Sequence, residues 1–401
     1  MSTRPDRAHP RLWPLYAGGF LGPFGGAMVT PMLPELRGGL HTTLGAAAWA
    51  LTAYMIPFAS IMIVSGTLAE RWGRRRTVRA AYLVYAAASA VCVAAPSIGL
   101  FLAGRGLQGA ANAFTSPLLI AAISDLVPRD RLGRSMGSYG SLQAAGQAFA
   151  PLVGGAAAAV DYRWAFVASA VAALALALVP PPDTVRRRDD EPGAARARWR
   201  ARVNGRLAVS STIAFGLYLT TGGVMLLVAL LAGDRFGLGP DARGLVVAAF
   251  GVAGLVGGSV LGRLADRFGI TRFGLAAFGV LAAAVVGAGY SASVAAMVVL
   301  LAACGASSTG GRLVVNTLAV TSTPANRGGA TSITLAWQFL GSALAPLVFL
   351  PAYHAGVATG FWLTASGSVL GLAVLAAARP SAHRPSPAAP APQAAPTATS
   401  G

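Results

Sequence analysis

The chain has no lysine, two cysteines, four histidines and only 13 acidic residues among 401, and charged residues make up 11% of it. Each shortage excludes something. A soluble domain carries roughly a quarter charged residues, so a chain with 55% hydrophobic residues and a mean hydropathy of +0.62 is lipid-embedded. Cys92 and Cys304 fall in apolar stretches, where a thiol is a small hydrophobe, so neither a disulfide nor a metal site is implied. No nucleophile, metal cluster or paired acid lies at a plausible catalytic position, which argues against an enzyme and against a resident cofactor. The net charge of +18 does not point to nucleic acid, because the arginines stand in short clusters between long apolar runs and build no separate basic domain. All 31 basic residues are Arg, which with abundant Ala and Gly fits a GC-rich genome and says nothing about mechanism.

What is present is a repeat. Gly66-Thr67-Leu68-Ala69-Glu70-Arg71-Trp72-Gly73-Arg74 recurs 196 residues later as Gly262-Arg263-Leu264-Ala265-Asp266-Arg267-Phe268-Gly269-Ile270. Pro128 and Arg131 match Pro324 and Arg327 at the same offset, while Gln143, Gly146 and Pro151 match Gln338, Gly341 and Pro346 at 195. Gly25, Gly26 and Met28 match Gly222, Gly223 and Met225 at 197. A duplicated membrane bundle, related by an axis along the membrane normal, marks one large class of secondary transporters with a site near the midplane between the halves.

A membrane span needs about 20 mostly apolar residues. Twelve stretches qualify, near 12–34, 46–68, 77–96, 98–125, 134–157, 162–181, 206–232, 243–265, 272–290, 293–321, 328–353 and 358–378. The expected fold is all-α and integral to the membrane, twelve transmembrane helices in two pseudo-symmetric six-helix bundles over 12–181 and 206–379. Residues 1–11 form an N-terminal segment and 182–205 a linker, read as solvated or as an amphipathic interfacial helix around Trp199 and Val203. The Pro-, Ala- and Ser-rich tail, 380–401, is expected to be disordered. Placing both termini in the cytoplasm puts 25 arginines inside and four outside (Arg37, Arg163, Arg235, Arg243), with Arg105 and Arg312 within spans. That bias sets the orientation. The N-terminal arginines and apolar run resemble a signal peptide, but the run is too long and holds Pro23, Pro31 and Pro34, so it is kept as a span.

The loop after the second span carries Gly66, Glu70, Arg71, Gly73, Arg74, Arg75 and Arg76. Gly66 and Gly73 are expected to let neighbouring helices or the chain itself approach closely, and Glu70 to accept hydrogen bonds from a helix N-terminus or pair with Arg at the cytoplasmic mouth, as part of a gate that forms in one conformation and breaks in another. The alternative is charge that merely fixes topology. This loop resembles the Gly-x-x-x-Asp-Arg-x-Gly-Arg-Arg signature of the major facilitator superfamily, with Glu70 in place of Asp and with Asp266 keeping it beside Gly262, Arg267 and Gly269. Arg105-x-x-Gln108-Gly109 resembles the family's second signature, and Pro31-x-x-Pro34 the end of a drug-efflux pattern. Gly146-x-x-x-Ala150-Pro151-x-x-Gly154-Gly155 resembles the motif of the twelve-helix drug:proton antiporter branch, with Ala150 where that motif has Gly. The resemblance implies that this fifth-span stretch seals the cavity and favours export, that Asp125 pairs with Arg74 or Arg75 at the inner gate, and that Arg131 belongs to it. Helix packing is the other reading of Pro151, Gly154 and Gly155.

An arginine near the middle of a span costs roughly 2.5–3.5 kcal/mol on insertion scales, so Arg105 and Arg312 need compensation. Gln108, Asn112 and Ser116 follow Arg105 on one helical face, which is expected to line the cavity, as are Ser308, Arg312 and Asn316 in the second half. Snorkelling to the interface is the alternative for either guanidinium. Phe24, Met28, Gln143, Gln147, Tyr218, Trp337 and Gln338, with Thr30, Trp49, Tyr54 and Thr221, complete the candidate cargo contacts. No Asp, Glu or His falls squarely inside a predicted span, and Glu35 at the outer end of the first is the candidate proton carrier, an exposed loop carboxylate being its other reading.

The expectation is a monomeric exporter of a small, largely apolar drug or secondary metabolite across the bacterial inner membrane, by alternating access and proton antiport. Its rivals are an importer of a small carboxylate or sugar, which two unpaired arginines would favour, and a non-transporting membrane sensor.

Overall fold

A computed structural model describes residues 12–179, 204–322 and 327–378, so the expectations for the linker, the tail and the N-terminal segment lie outside the described residues. Among the described residues there are fourteen α-helices. The first span comprises α1 (Trp13–Ala27), a 3-10 turn (Thr30–Met32) and α2 (Leu33–Gly39). Then follow α3 (Leu44–Trp72), α4 (Arg74–Ala94), α5 (Ile98–Asn112) with α6 (Thr115–Leu126), α7 (Arg129–Ala158) and α8 (Arg163–Leu178). The second half holds α9 (Gly205–Phe236), α10 (Pro240–Phe268), α11 (Ile270–Gly289), α12 (Val294–Ser322), α13 (Arg327–Ala355) and α14 (Val357–Ala377). Eight of these helices are by themselves long and apolar enough to cross a membrane.

Two spans expected to be continuous are broken, and proline is the cause. Proline lacks an N–H and its ring clashes with the carbonyl four residues before it. Pro31 and Pro34 end α1 at Ala27 and pass the chain through the 3-10 turn, and Pro117 falls in the first turn of α6, just after the break at Ala113. Helices also overrun the expected edges by a few residues, as where α7 starts at Arg129, directly after Pro128, and α10 at Pro240. Caps set other starts: Thr43 Oγ1 accepts from the Ala46 amide at 3.1 Å, and Asn204 Oδ1 from the Leu207 amide at 2.8 Å.

The duplication is visible as repeated backbone contact. A Cβ on Gly109 would lie 1.9 Å from the Tyr54 carbonyl oxygen, and one on Gly305 would meet the Phe250 oxygen at the same distance. Gly146 abuts the Phe20 carbonyl and Gly341 the Phe215 carbonyl. Every partner in these pairs is displaced by the repeat offset. Each half therefore buries helices against one another at the same points, which only glycine permits.

Of the two roles expected of the repeated loop's glycines, Gly73 serves the chain's own turn and not contact between helices. Gly73 and Gly269 have φ of +87° and +80°, and a Cβ at either would meet nothing within 4 Å. They turn the chain between α3 and α4 and between α10 and α11 through a conformation open to glycine, and they bring no helices together. Gly262 also faces open space.

The end of the bundle that carries the α3–α4 turn at Gly73, the α6–α7 turn at Pro128 and the α10–α11 turn at Gly269 is here called the linker side, and the end with the α2–α3 and α9–α10 turns the far side. Between the halves, α3 packs on α13 and α7 on α10.

Candidate functional site

Arg105 and Arg312 look alike in the sequence and are unlike in the structure. Arg105 is fully buried inside the first half. Its Nε donates to the Ala50 carbonyl at 3.2 Å, Nη1 to Gln108 Oε1 at 2.7 Å and Nη2 to the Gly25 carbonyl at 3.0 Å. The guanidinium carbon sits 4.4 Å from the Tyr54 ring centroid and 5.8 Å from that of Phe166. Gln108 Nε2 in turn donates to Ser89 Oγ at 2.7 Å, and Ser89 to the Tyr85 carbonyl at 2.8 Å. Gly25 lies in the last turn of α1, where a carbonyl has no intrahelical partner. The break after Ala27 thus supplies an acceptor, and the negative end of the helix dipole, to the buried cation.

The polar face of α5 and α6 therefore turns inward, and its expected place on the cavity wall is corrected. Asn112 is buried, donating to the Tyr54 hydroxyl at 2.9 Å and accepting from Thr115 at 2.7 Å. The Tyr54 hydroxyl donates to the Gly22 carbonyl at 3.2 Å. Ser116 is half-buried and its carbonyl lies 3.5 Å from the Tyr139 hydroxyl. Phe24 and Met28 are buried as well, Phe24 stacked on Phe20 and Met28 Sδ accepting from Ser169 at 3.4 Å. Snorkelling does not describe Arg105, since residues of the first, second, fourth and sixth spans hold it in place.

Arg312 is half-buried and lines a cleft between the halves with Gln147 of α7, Tyr218 and Thr221 of α9 and Phe250 of α10. Among the described residues no hydrogen bond or ion pair reaches its guanidinium. Thr221 and Ser308 hydroxyls lie 2.9 Å apart at the cleft. Gln143 is half-buried, Gln338 buried with its amide nitrogen unpaired, Trp337 exposed against Phe215 and Asn316 exposed, so these do not gather at one point.

The far side is closed by contacts from both halves. Arg243 of α10, 5% exposed at its side chain, donates to the carboxylate of Glu35 on α2, which is 25% exposed. Glu35 is thus an ion-pair partner at a junction. Below it, a Cβ on Gly155 would lie 2.3 Å from the Pro240 carbonyl, one on Gly244 2.4 Å from the Pro151 carbonyl, and one on Gly251 2.4 Å from Cα of Ala148. Gly154, one residue from Gly155, faces the other way and meets the Met28 carbonyl at 2.0 Å. The α7 motif is a seam with two faces, binding the first span on one side and the second half on the other. Beside it, Thr52 Oγ1 donates to the Ala343 carbonyl at 2.7 Å, and Phe58 meets Phe339 edge-on at 4.5 Å.

On the linker side Arg74 donates to Asp125, tying α4 to α6. Arg75 and Arg131 are exposed and engaged. Asp266 and Arg267 are exposed, Arg267 lying over Phe268. The side chains of Gly66, Glu70 and Arg71 lie outside the described residues. Sequence reasoning missed Arg243, Ser89, Thr309 and Gly244. The opposite charges at the far ends of the first and eighth spans were a readable signal for Arg243, but nothing in the sequence pairs positions 208 apart.

A family model described as Major Facilitator Superfamily matches residues 15–230 and again 210–400. The chain is 34% identical over 155 residues to the puromycin resistance protein pur8 of Streptomyces alboniger, covering 38% of this chain and 31% of that one. It is 30% identical over 129 residues to the drug efflux pump JefA of Mycobacterium tuberculosis, covering 32% and 25%. The matches thus span about a third or less of these curated relatives. In structure it is similar to a D-xylose-proton symporter, with a TM-score of 0.72 at 16% identity over 91% of this chain and 96% of that one. It is also similar to a bacterial homologue of the human lysosomal transporter Spinster, with a TM-score of 0.71 at 16% identity over 94% and 96%. Matched in both halves, this chain is a multi-pass membrane protein that belongs to the Major Facilitator Superfamily of transporters.

Proposed function

We propose that this transporter exports a small, largely apolar organic compound from the cytoplasm across a bacterial inner membrane, by rocking its halves about the cleft at Arg312, and that proton entry at Glu35 drives it. The observation that carries the reading is the far-side closure. Glu35 and Arg243 join the halves at the mouth, and the α7–α10 seam packs backbone on backbone beneath them. The arginine bias read from the sequence, with 25 of 31 expected on the side of the linker, supports a cytoplasmic linker side and an outward-facing ion pair.

A proton arriving from outside neutralises Glu35 and removes the charge that Arg243 pairs with, which favours the open far side and cargo release. Return of the proton inward then resets the closure. Export in place of uptake is supported by the α7 motif and by relatives named for drug efflux and puromycin resistance. The protein acts as a monomer, since each chain holds both halves.

Everted membrane vesicles test this. With an inside-acid gradient, vesicles holding the protein accumulate apolar fluorescent dyes or aryl acids and lose them when the gradient is collapsed. Accumulation that ignores the gradient removes antiport, and gradient-driven expulsion from the same vesicles indicates import.

A further inference from the structure

A guanidinium inside a membrane protein is paired, hydrated or waiting for a ligand. Arg105 is satisfied by two carbonyls, a glutamine and an aromatic face. Arg312 has none of these among the described residues, and no carboxylate lines its cleft. It sits ten residues before the end of α12 at Ser322, about 15 Å along the helix at 1.5 Å per residue, too deep for the side chain alone to reach the linker side.

The surroundings state what is missing. Tyr218, Gln147 and Thr309 offer neutral hydrogen-bonding groups around the charge, and Phe250, Leu255 and Gly254 supply an apolar wall. One guanidinium provides a planar pair of donors suited to a carboxylate or sulfonate. A single positive charge balances one negative charge, and the apolar wall suits a hydrophobic body attached to it once the halves part, since the cleft as it stands encloses only about 20 Å³.

We propose that Arg312 is the docking point for the acidic group of the cargo, and that the cargo class is an amphipathic organic monoanion, an apolar body bearing one carboxylate or sulfonate. This deepens the reading of the cleft as the cargo site and rests on it. The Thr221–Ser308 pair, one turn from Arg312, holds α9 against α12 and fixes the wall on which the guanidinium stands.

The test uses full-length protein in nanodiscs and thermal unfolding with 2-naphthoate, 1-naphthalenesulfonate and the neutral isostere 2-naphthamide. The two acids should raise the unfolding temperature of the wild type and bind at least about tenfold more tightly than the amide. Arg312→Gln should erase that preference while leaving the unliganded unfolding temperature in place, and Arg312→Lys should keep part of it. Equal binding of acids and amide by the wild type, an acid preference that survives Arg312→Gln, or no binding by either acid overturns the proposal. Its failure is separable from failure of the export reading: gradient-driven dye accumulation in vesicles without any acid preference leaves export standing and removes only the monoanion.

Discussion

The guanidinium of Arg243 donates to the carboxylate of Glu35 across the junction of the two halves, where Arg243 is almost wholly buried and the second carboxylate oxygen, Glu35 Oε2, has no partner. A pair so placed stabilises the closed far side only while Glu35 is charged. Arg37, exposed on the same helix, is the other charge near it on α2, and α3 presents none at that level.

Replacing Glu35 by Gln should leave Arg243 buried without its counter-charge. A hydrogen bond to a charged group is worth about 1.5–3 kcal/mol, so the closed far side should lose roughly tenfold to hundredfold in population. A cysteine at Gln147, half-buried in the cleft beneath the closure, reports this by its rate of labelling from the far side, since Cys92 and Cys304 are buried. Unchanged labelling in Glu35→Gln would mean the pair does not hold the junction.

The seam of α7 and α10 gives a steric prediction. A Cβ at Gly155 would lie 2.3 Å from the Pro240 carbonyl, whereas one at Gly258 of α10 meets nothing. Gly155→Val should abolish far-side closure and reduce transport by about tenfold or more, because backbone cannot yield as a flexible side chain can. Gly258→Ala should stay within about twofold of wild type. Transport rates in the same vesicles, normalised to expression, decide between them.

Arg105 should behave as a structural residue of the first half. Arg105→Ala leaves Gln108 and the Gly25 and Ala50 carbonyls short of a donor, at about 1–3 kcal/mol for each buried group stranded. The unfolding temperature should fall markedly, and Arg105→Lys should rescue little, since one ammonium cannot span the three acceptors. An Arg105→Ala protein that unfolds at the wild-type temperature but does not transport would return this residue to the cargo path.

Gly73→Ala isolates backbone strain. Its φ of +87° disfavours any side chain, at about 1–3 kcal/mol, while Gly262 lacks that constraint and faces open space. The first substitution should lower the unfolding temperature and the second should not, read by scanning fluorimetry.

What the sequence made legible was whatever the duplication copied. Gly109 and Gly305 meet equivalent carbonyls because both halves inherited one packing scheme, and Gly73 and Gly269 share one turn. Periodicity placed the helices but not the breaks after Ala27 and Asn112, whose prolines were visible but whose effect depends on the carbonyl they displace. The two intramembrane arginines could not be told apart, because the Gly25 carbonyl that satisfies Arg105 exists only through the first of those breaks. Their positions are not equivalents of each other either. Arg105 matches Leu301 in the second half, and Ser116 in the first matches Arg312. Glu35 and Arg243 meet across the very junction that the repeat does not encode.

The most direct test of two halves rocking about a shared cleft is a pair of spin-label distances in one protein. One pair joins Gly38→Cys to Arg235→Cys on the far side, the other Arg134→Cys to Arg263→Cys on the linker side, all at exposed positions. Replacing Glu35 by Gln in that protein should lengthen the far-side distance and shorten the linker-side one. Two distances that move in the same direction, or that stay fixed while transport proceeds, would contradict the rocking mechanism.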